Sequence, residues 1–139
     1  MLVLPDLRTP ADDGERGSAV VDFVLVSMLI TMLLLAVLQV AVYVHVRNVV
    51  TASAQAGARY AANADVDSSV GAERTLEVVA DATSRQTANG LSCSSAEEVD
   101  KTGLTLVVVR CSGSVPSLLA ALGNLLPLEV TGRAVKEAT

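Results

Sequence analysis

The sequence predicts an α+β chain in which a long N-terminal transmembrane helix extends into a small extracytoplasmic domain with a second helix and a short antiparallel β-sheet. Three observations lead there. Residues 23–43 form an apolar run without a charge. An alanine-rich, proline-free stretch follows at once. Two short segments rich in β-branched residues, 104–111 and 128–137, come late in the chain.

At 139 residues there is room for one small domain and one appendage. Hydrophobic residues make up 51% of the chain, yet there are only two Tyr, one Phe and no Trp. A large soluble core relies on aromatic bulk, and this chain has little. The formal charge of −5 is spread along the sequence, so no basic footprint for nucleic acid is present. Two cysteines and one histidine are too few soft ligands for a metal site, and no motif implies a cofactor.

Residues 1–17 carry Pro5, Pro10, Gly14 and Gly17 and read as a short flexible leader. The run 23–43 measures about 31 Å as a helix, enough to cross the roughly 30 Å hydrocarbon layer. It is longer than the apolar region of a secretory signal, and no turn after it offers a signal-peptidase site, so the span is expected to persist. "RNVVTASAQAGARYAA" continues the helix, giving one element from near Ser18 to near Ala62 that reaches beyond the bilayer. "NADVDSSVGAE" interrupts it.

A second helix is expected from Ala72 to about Ala88, with Leu76, Val79, Ala80 and Thr83 on one face. Asn89 and Gly90 end it. Segments 104–111 and 128–137 read as strands, with Gly132 suggesting a bulge in the second. Residues 115–127 read equally as a short helix or an apolar loop. The domains expected are therefore a leader, 1–17; a membrane helix with its extension, 18–62; and a small α+β domain, 63–139.

Arg8 and Arg16 before the span balance Arg47 and Arg59 after it, so the positive-inside count is a tie. Cys93 and Cys111 break it. A disulfide between them, tying the loop after the second helix to the end of the first strand, requires the C-terminal part to lie outside the cytosol. Two buried free thiols are the alternative.

Asp22 sits just inside the apolar run. At the bilayer centre an acid costs about 2.5 to 3.5 kcal/mol, and less near the interface. One reading is an N-terminal helix acid at headgroup level, favoured by the macrodipole. The other follows from Gly17 and Ser18: were the bond between them cut, a new α-amino group would lie one turn from Asp22. In an assembly the acid could then neutralise the ammonium of a neighbouring subunit.

"RGSAVVDFVLVSMLITMLLLAVLQVAVYV" followed by "NVVTASAQAGARYAA" resembles the TadE-like pseudopilins of tight-adherence (Tad/Flp) pilus systems. The resemblance covers residues 15–62 and is weak beyond Asn63. It implies a pilin-like fold, cleavage after Gly17 by a prepilin peptidase at the cytoplasmic face, and Asp22 in the place of the family's usual Glu, one methylene shorter. It further implies a single-pass membrane protein, leader inside and C-terminal domain outside, with other pilin or pseudopilin subunits and pilus-assembly membrane proteins as partners.

Ser27 and Thr31, four apart, share a helix face, and Gln39 is a further candidate for contact between helices. Ser53, Gly57 and Ala61 follow a small-xxx-small spacing that lets a second backbone come near. His45, Tyr43 and Arg47 fit headgroup anchoring. No catalytic fingerprint occurs, and the chain reads as a substrate of an enzyme rather than an enzyme. The function expected is a minor pseudopilin or pilus-assembly component. The alternatives are an unprocessed single-pass scaffold or receptor-like subunit, and a soluble domain released by cleavage near "TASAQAGA".

Overall fold

The computed structural model describes residues 13–115 and 126–138. The expectation for residues 115–127 therefore falls largely outside the described residues. The chain divides into two compact units between Ala36 and Val37. One helix, α1, runs Asp13–Ala61, so it begins at Asp13 rather than near Ser18. No proline interrupts residues 11–61. Gly14 and Gly17 each cost about 1 kcal/mol against alanine, too little to break a helix.

In the N-terminal unit α1 is apolar and unburied on all sides. Apart from half-buried Leu35, its large apolar side chains are exposed, from 46% at Val26 to 72% at Phe23. The most apolar part of Gly17–Ala61, long enough to cross a membrane, has none of its length buried within the protein.

In the C-terminal unit α1 instead has an inside face. Val46, Val50, Ala54 and Ala58, spaced by four residues, are buried in the main core. The alanine-rich extension is thus an internal element of the C-terminal unit. Helix α2 (Val70–Ala82) and helix α3 (Arg85–Asn89) follow. Strands β1 (Leu91–Val99), β2 (Thr105–Val115) and β3 (Leu126–Val135) form an antiparallel sheet in the order β1-β2-β3. The core joins α1 to Val79 and Ala88 of α2 and α3, to Leu91, Val109, Cys111 and Val115, and to Leu128 and Val130. Valine, alanine and glycine let helix and sheet approach closely, which is how so few aromatics suffice.

Four local expectations are corrected. The second helix breaks at Thr83 and Ser84, because extended Ser84 caps α3 by accepting from the Thr87 N–H. Strand β1 was not foreseen in its polar "LSCSSAEEV". The disulfide joins two paired strands, Cys93 standing directly opposite Cys111 in the β1–β2 register with their Cα atoms 4.1 Å apart. Gly132 forms no bulge; it pairs in unbroken register with Val109.

What Gly132 does is admit α1. A Cβ there would lie 2.3 Å from the carbonyl carbon and oxygen of Ala54. Next to it, Gln55 donates from Nε2 to the Arg133 carbonyl at 2.6 Å and accepts from the Arg133 N–H at 3.2 Å. Since β3 is an edge strand, this amide occupies backbone groups that would otherwise recruit another strand. Tyr43 donates its hydroxyl to the Pro127 carbonyl at 3.1 Å, and the Glu137 N–H donates to Ala62 at 2.9 Å. Beyond β3, Lys136 donates from Nζ to Ala61 (3.0 Å), Val66 (2.7 Å) and the Ser68 hydroxyl (3.3 Å), closing the end of α1.

The β1–β2 turn is held by Asp100, whose Oδ1 accepts from the Thr102 N–H and hydroxyl and from the Leu104 N–H. Gly103 takes φ +84°, a conformation costly for other residues. The Thr102 hydroxyl, and then the turn's backbone N–H groups, hold the Asp100 carboxyl below its ordinary value of 3.8. A folded pKa below the unfolded one contributes stability that is complete above the unfolded pKa and is lost as pH falls through the folded pKa. Urea midpoints of the detergent-solubilised chain should therefore fall as pH drops below about 4, and Asp100→Asn should flatten part of that fall. Equal slopes for parent and variant would remove Asp100 from the acid response.

Candidate processing and association site

Gly17, Ser18 and Asp22 lie on α1 in the N-terminal unit. All three are exposed, and among the described residues nothing beyond its own helix backbone lies within 4 Å of the Cβ position of Gly17. Ser18 and Asp22 are four residues apart and share a helix face. The bond between Gly17 and Ser18 is thus sterically open although helical.

Ser27 and Thr31 lie one turn apart on the same face. The Thr31 hydroxyl donates to the Ser27 carbonyl at 2.8 Å, the local bond that lets a hydroxyl sit in apolar surroundings. Around them Phe23, Val24, Met28, Leu34 and their neighbours are exposed. This surface buries nothing of its own chain and is suited to lipid or another helix.

The remaining candidates fall in the C-terminal unit and are buried. Gln39 is 7% exposed, Ser53 1% and Ala61 0%. Ser53 donates its hydroxyl to Val49 at 2.8 Å. At Gly57 a Cβ would lie 2.1 Å from the Thr75 hydroxyl oxygen and 2.5 Å from the Gly71 carbonyl oxygen. The second backbone admitted by the Ser53, Gly57, Ala61 spacing is therefore α2 of the same chain. Thr75 is itself buried, its hydroxyl donating to Gly71 at 2.7 Å.

His45 and Arg47 are exposed, while Tyr43 is half-buried and bonded to β3. Sequence reasoning missed Gln55, Lys136 and Tyr43 as ties between helix and sheet, since their partners are backbone groups 70 or more residues away. Among the described residues no cluster of His, Cys, Asp and Glu could hold a metal ion.

Residues 17–59 match the family model of TadE-like proteins. The chain carries a TadE-like segment. The match begins at Gly17, takes in Asp22 and the apolar run, and ends within "GARYAA". TadE-likeness suggests a component associated with Tad pili, a family that is in general not enzymatic, and the apolar helix is compatible with a single-pass membrane protein. No curated protein and no solved structure matches the chain.

Proposed function

We propose that this protein is a minor pseudopilin or pilus-assembly component of a Tad-type (type IVc) pilus or secretion system. A prepilin peptidase cuts between Gly17 and Ser18, removing the cytoplasmic leader 1–17. The mature chain stays in the membrane by the apolar run 23–43, with the C-terminal domain outside, where an oxidising compartment permits the disulfide. It acts by lateral association of its exposed apolar helix with related helices, Ser27 and Thr31 lying on the contacting surface. Asp22 pairs with the Ser18 ammonium of a neighbour, so that neither charge stands alone in lipid.

The observation that carries this reading is that the TadE-like match starts at Gly17 and includes Asp22 and the apolar run. A second reading, an unprocessed membrane-anchored scaffold, draws support from the junction being inside a continuous helix. The intact mass of the membrane-extracted chain separates them: a chain beginning at Ser18 supports processing, and one retaining Met1 rejects it. Asp22→Asn should be processed as the parent is, while recovering associated subunits about tenfold less, as expected for a pairing of about 1.4 kcal/mol. Undiminished recovery would eliminate the charge pairing.

A further inference from the structure

The C-terminal unit contains the last part of the uncharged run, residues 37–43. There Val37, Leu38, Val40 and Val44 are 59%, 44%, 63% and 48% exposed. The Tyr43 hydroxyl, in the final turn of the run, is bonded to the Pro127 carbonyl. That bond sets one end of the sheet level with the end of the apolar run.

At this end β2 and β3 reach two residues past β1, which starts with Leu91 opposite Gly113. The pairs Ser114 with Pro127 and Val115 with Leu126 stand beyond it. None of the four is charged, and the sequence has no charged side chain through residues 111–128. The next charges along these elements are Arg47, one turn after Tyr43, and Glu129, opposite Ser112. The other end of the sheet is different, carrying Glu97, Asp100, Lys101, Lys136 and Glu137. Pro127 brings no N–H that needs a partner, and its carbonyl has one in Tyr43. Backbone in that state tolerates an apolar surrounding.

We infer that this uncharged patch of the C-terminal unit, made by Tyr43, Val44, Ser114, Leu126 and Pro127, is seated in the headgroup and acyl boundary of the bilayer. The inference rests on the membrane-anchored reading and adds a second contact to it: the sheet touches lipid, and the domain is not held away from the membrane on a bare stretch of helix. Tyrosine belongs at that depth, its ring among acyl chains and its hydroxyl satisfied. The end of the sheet is uncharged, and the exposed Arg85 that opens α3 beside it suits anionic headgroups, so a lipid surface fits this end better than a protein with charged anchors.

The chain has no tryptophan, so one introduced tryptophan reports its own surroundings. Full-length Pro127→Trp and Leu104→Trp would be reconstituted in phosphatidylcholine and phosphatidylglycerol vesicles with acyl-brominated lipid. Leu104, 50% exposed beside the β1–β2 turn, marks the opposite end. Bromolipid should quench Pro127→Trp at least twofold and leave Leu104→Trp unchanged. Equal quenching at both positions, or none at Pro127→Trp in vesicles that carry the protein on flotation, overturns the inference and leaves the anchored reading standing. Protein that does not float with the vesicles overturns both. Ser114→Trp, on the neighbouring strand, decides the matter if Pro127→Trp fails to form its disulfide on a thiol-blocked gel.

Discussion

Gly132→Ala is expected to destabilise the protein by about 3 kcal/mol, a large share of the stability of a small domain. Its new methyl would lie 2.3 Å from the Ala54 carbonyl carbon and oxygen and 2.6 Å from the Gln55 nitrogen. These are backbone atoms of α1, and they cannot turn aside as a side chain would. Either the helix lifts from β3 or the strand bends away. Both movements break the paired hydrogen bonds between Gln55 and Arg133 and open the packing of Val50, Ala54 and Ala58 against Leu128 and Val130. Alanine's lower backbone entropy cost, worth about 0.5 to 1 kcal/mol in a strand, offsets only part of this. Gly103→Ala is the control. It has open space around it but a φ of +84°, so it should cost about 1 to 2 kcal/mol through backbone conformation alone. Urea midpoints of the full chain in detergent measure both, and a Gly132→Ala midpoint equal to the parent's would show that α1 does not press on β3.

The misreading of Gly132 marks where sequence stops being informative here. A glycine in a strand signals either a bulge or a close neighbour, and the neighbour lies 78 positions earlier in the chain. Helix α1 was legible because an uncharged run of bilayer length needs no knowledge of its surroundings. Strands β2 and β3 were legible from their alternating or β-branched residues. Strand β1 was not, because its serines and glutamates obey no apolar alternation; it is held as a strand by the β2 ladder, the disulfide and the contact of Ser95 with Ser68. The cysteine pair was legible as a bond but not as a cross-strand one, since its placement depends on the unseen strand. At the candidate site, that Ser18 and Asp22 share one helix face needed only local spacing. Ser53, Gly57 and Ala61 showed the close approach without showing that the approaching backbone is α2.

Loss of the disulfide, by Cys93→Ala with Cys111→Ala, should cost about 3 kcal/mol in the chain-entropy account of a loop of 18 residues. The loss should also be uneven. Strand β3 is secured from outside the sheet at Tyr43, Ala54 and Gln55, and Lys136 and Glu137 fasten the chain that follows it to Ala61 and Ala62. Strand β1 has the β2 ladder on one side, while on its other side the described bonds are side-chain contacts of Ser95 and Glu97 with Ser68 and Lys136. Ser68 and Lys136 are also the groups that close the end of α1, so slackening β1 loosens the connection between α1 and α2. Hydrogen exchange of the full chain in detergent, before and after reduction, should show amides of β1 and α2 losing protection by about a hundredfold, with those of β3 changing less than tenfold. Uniform loss across all three strands would mean that the sheet opens as one unit and that the ties between α1 and β3 do not hold an edge independently.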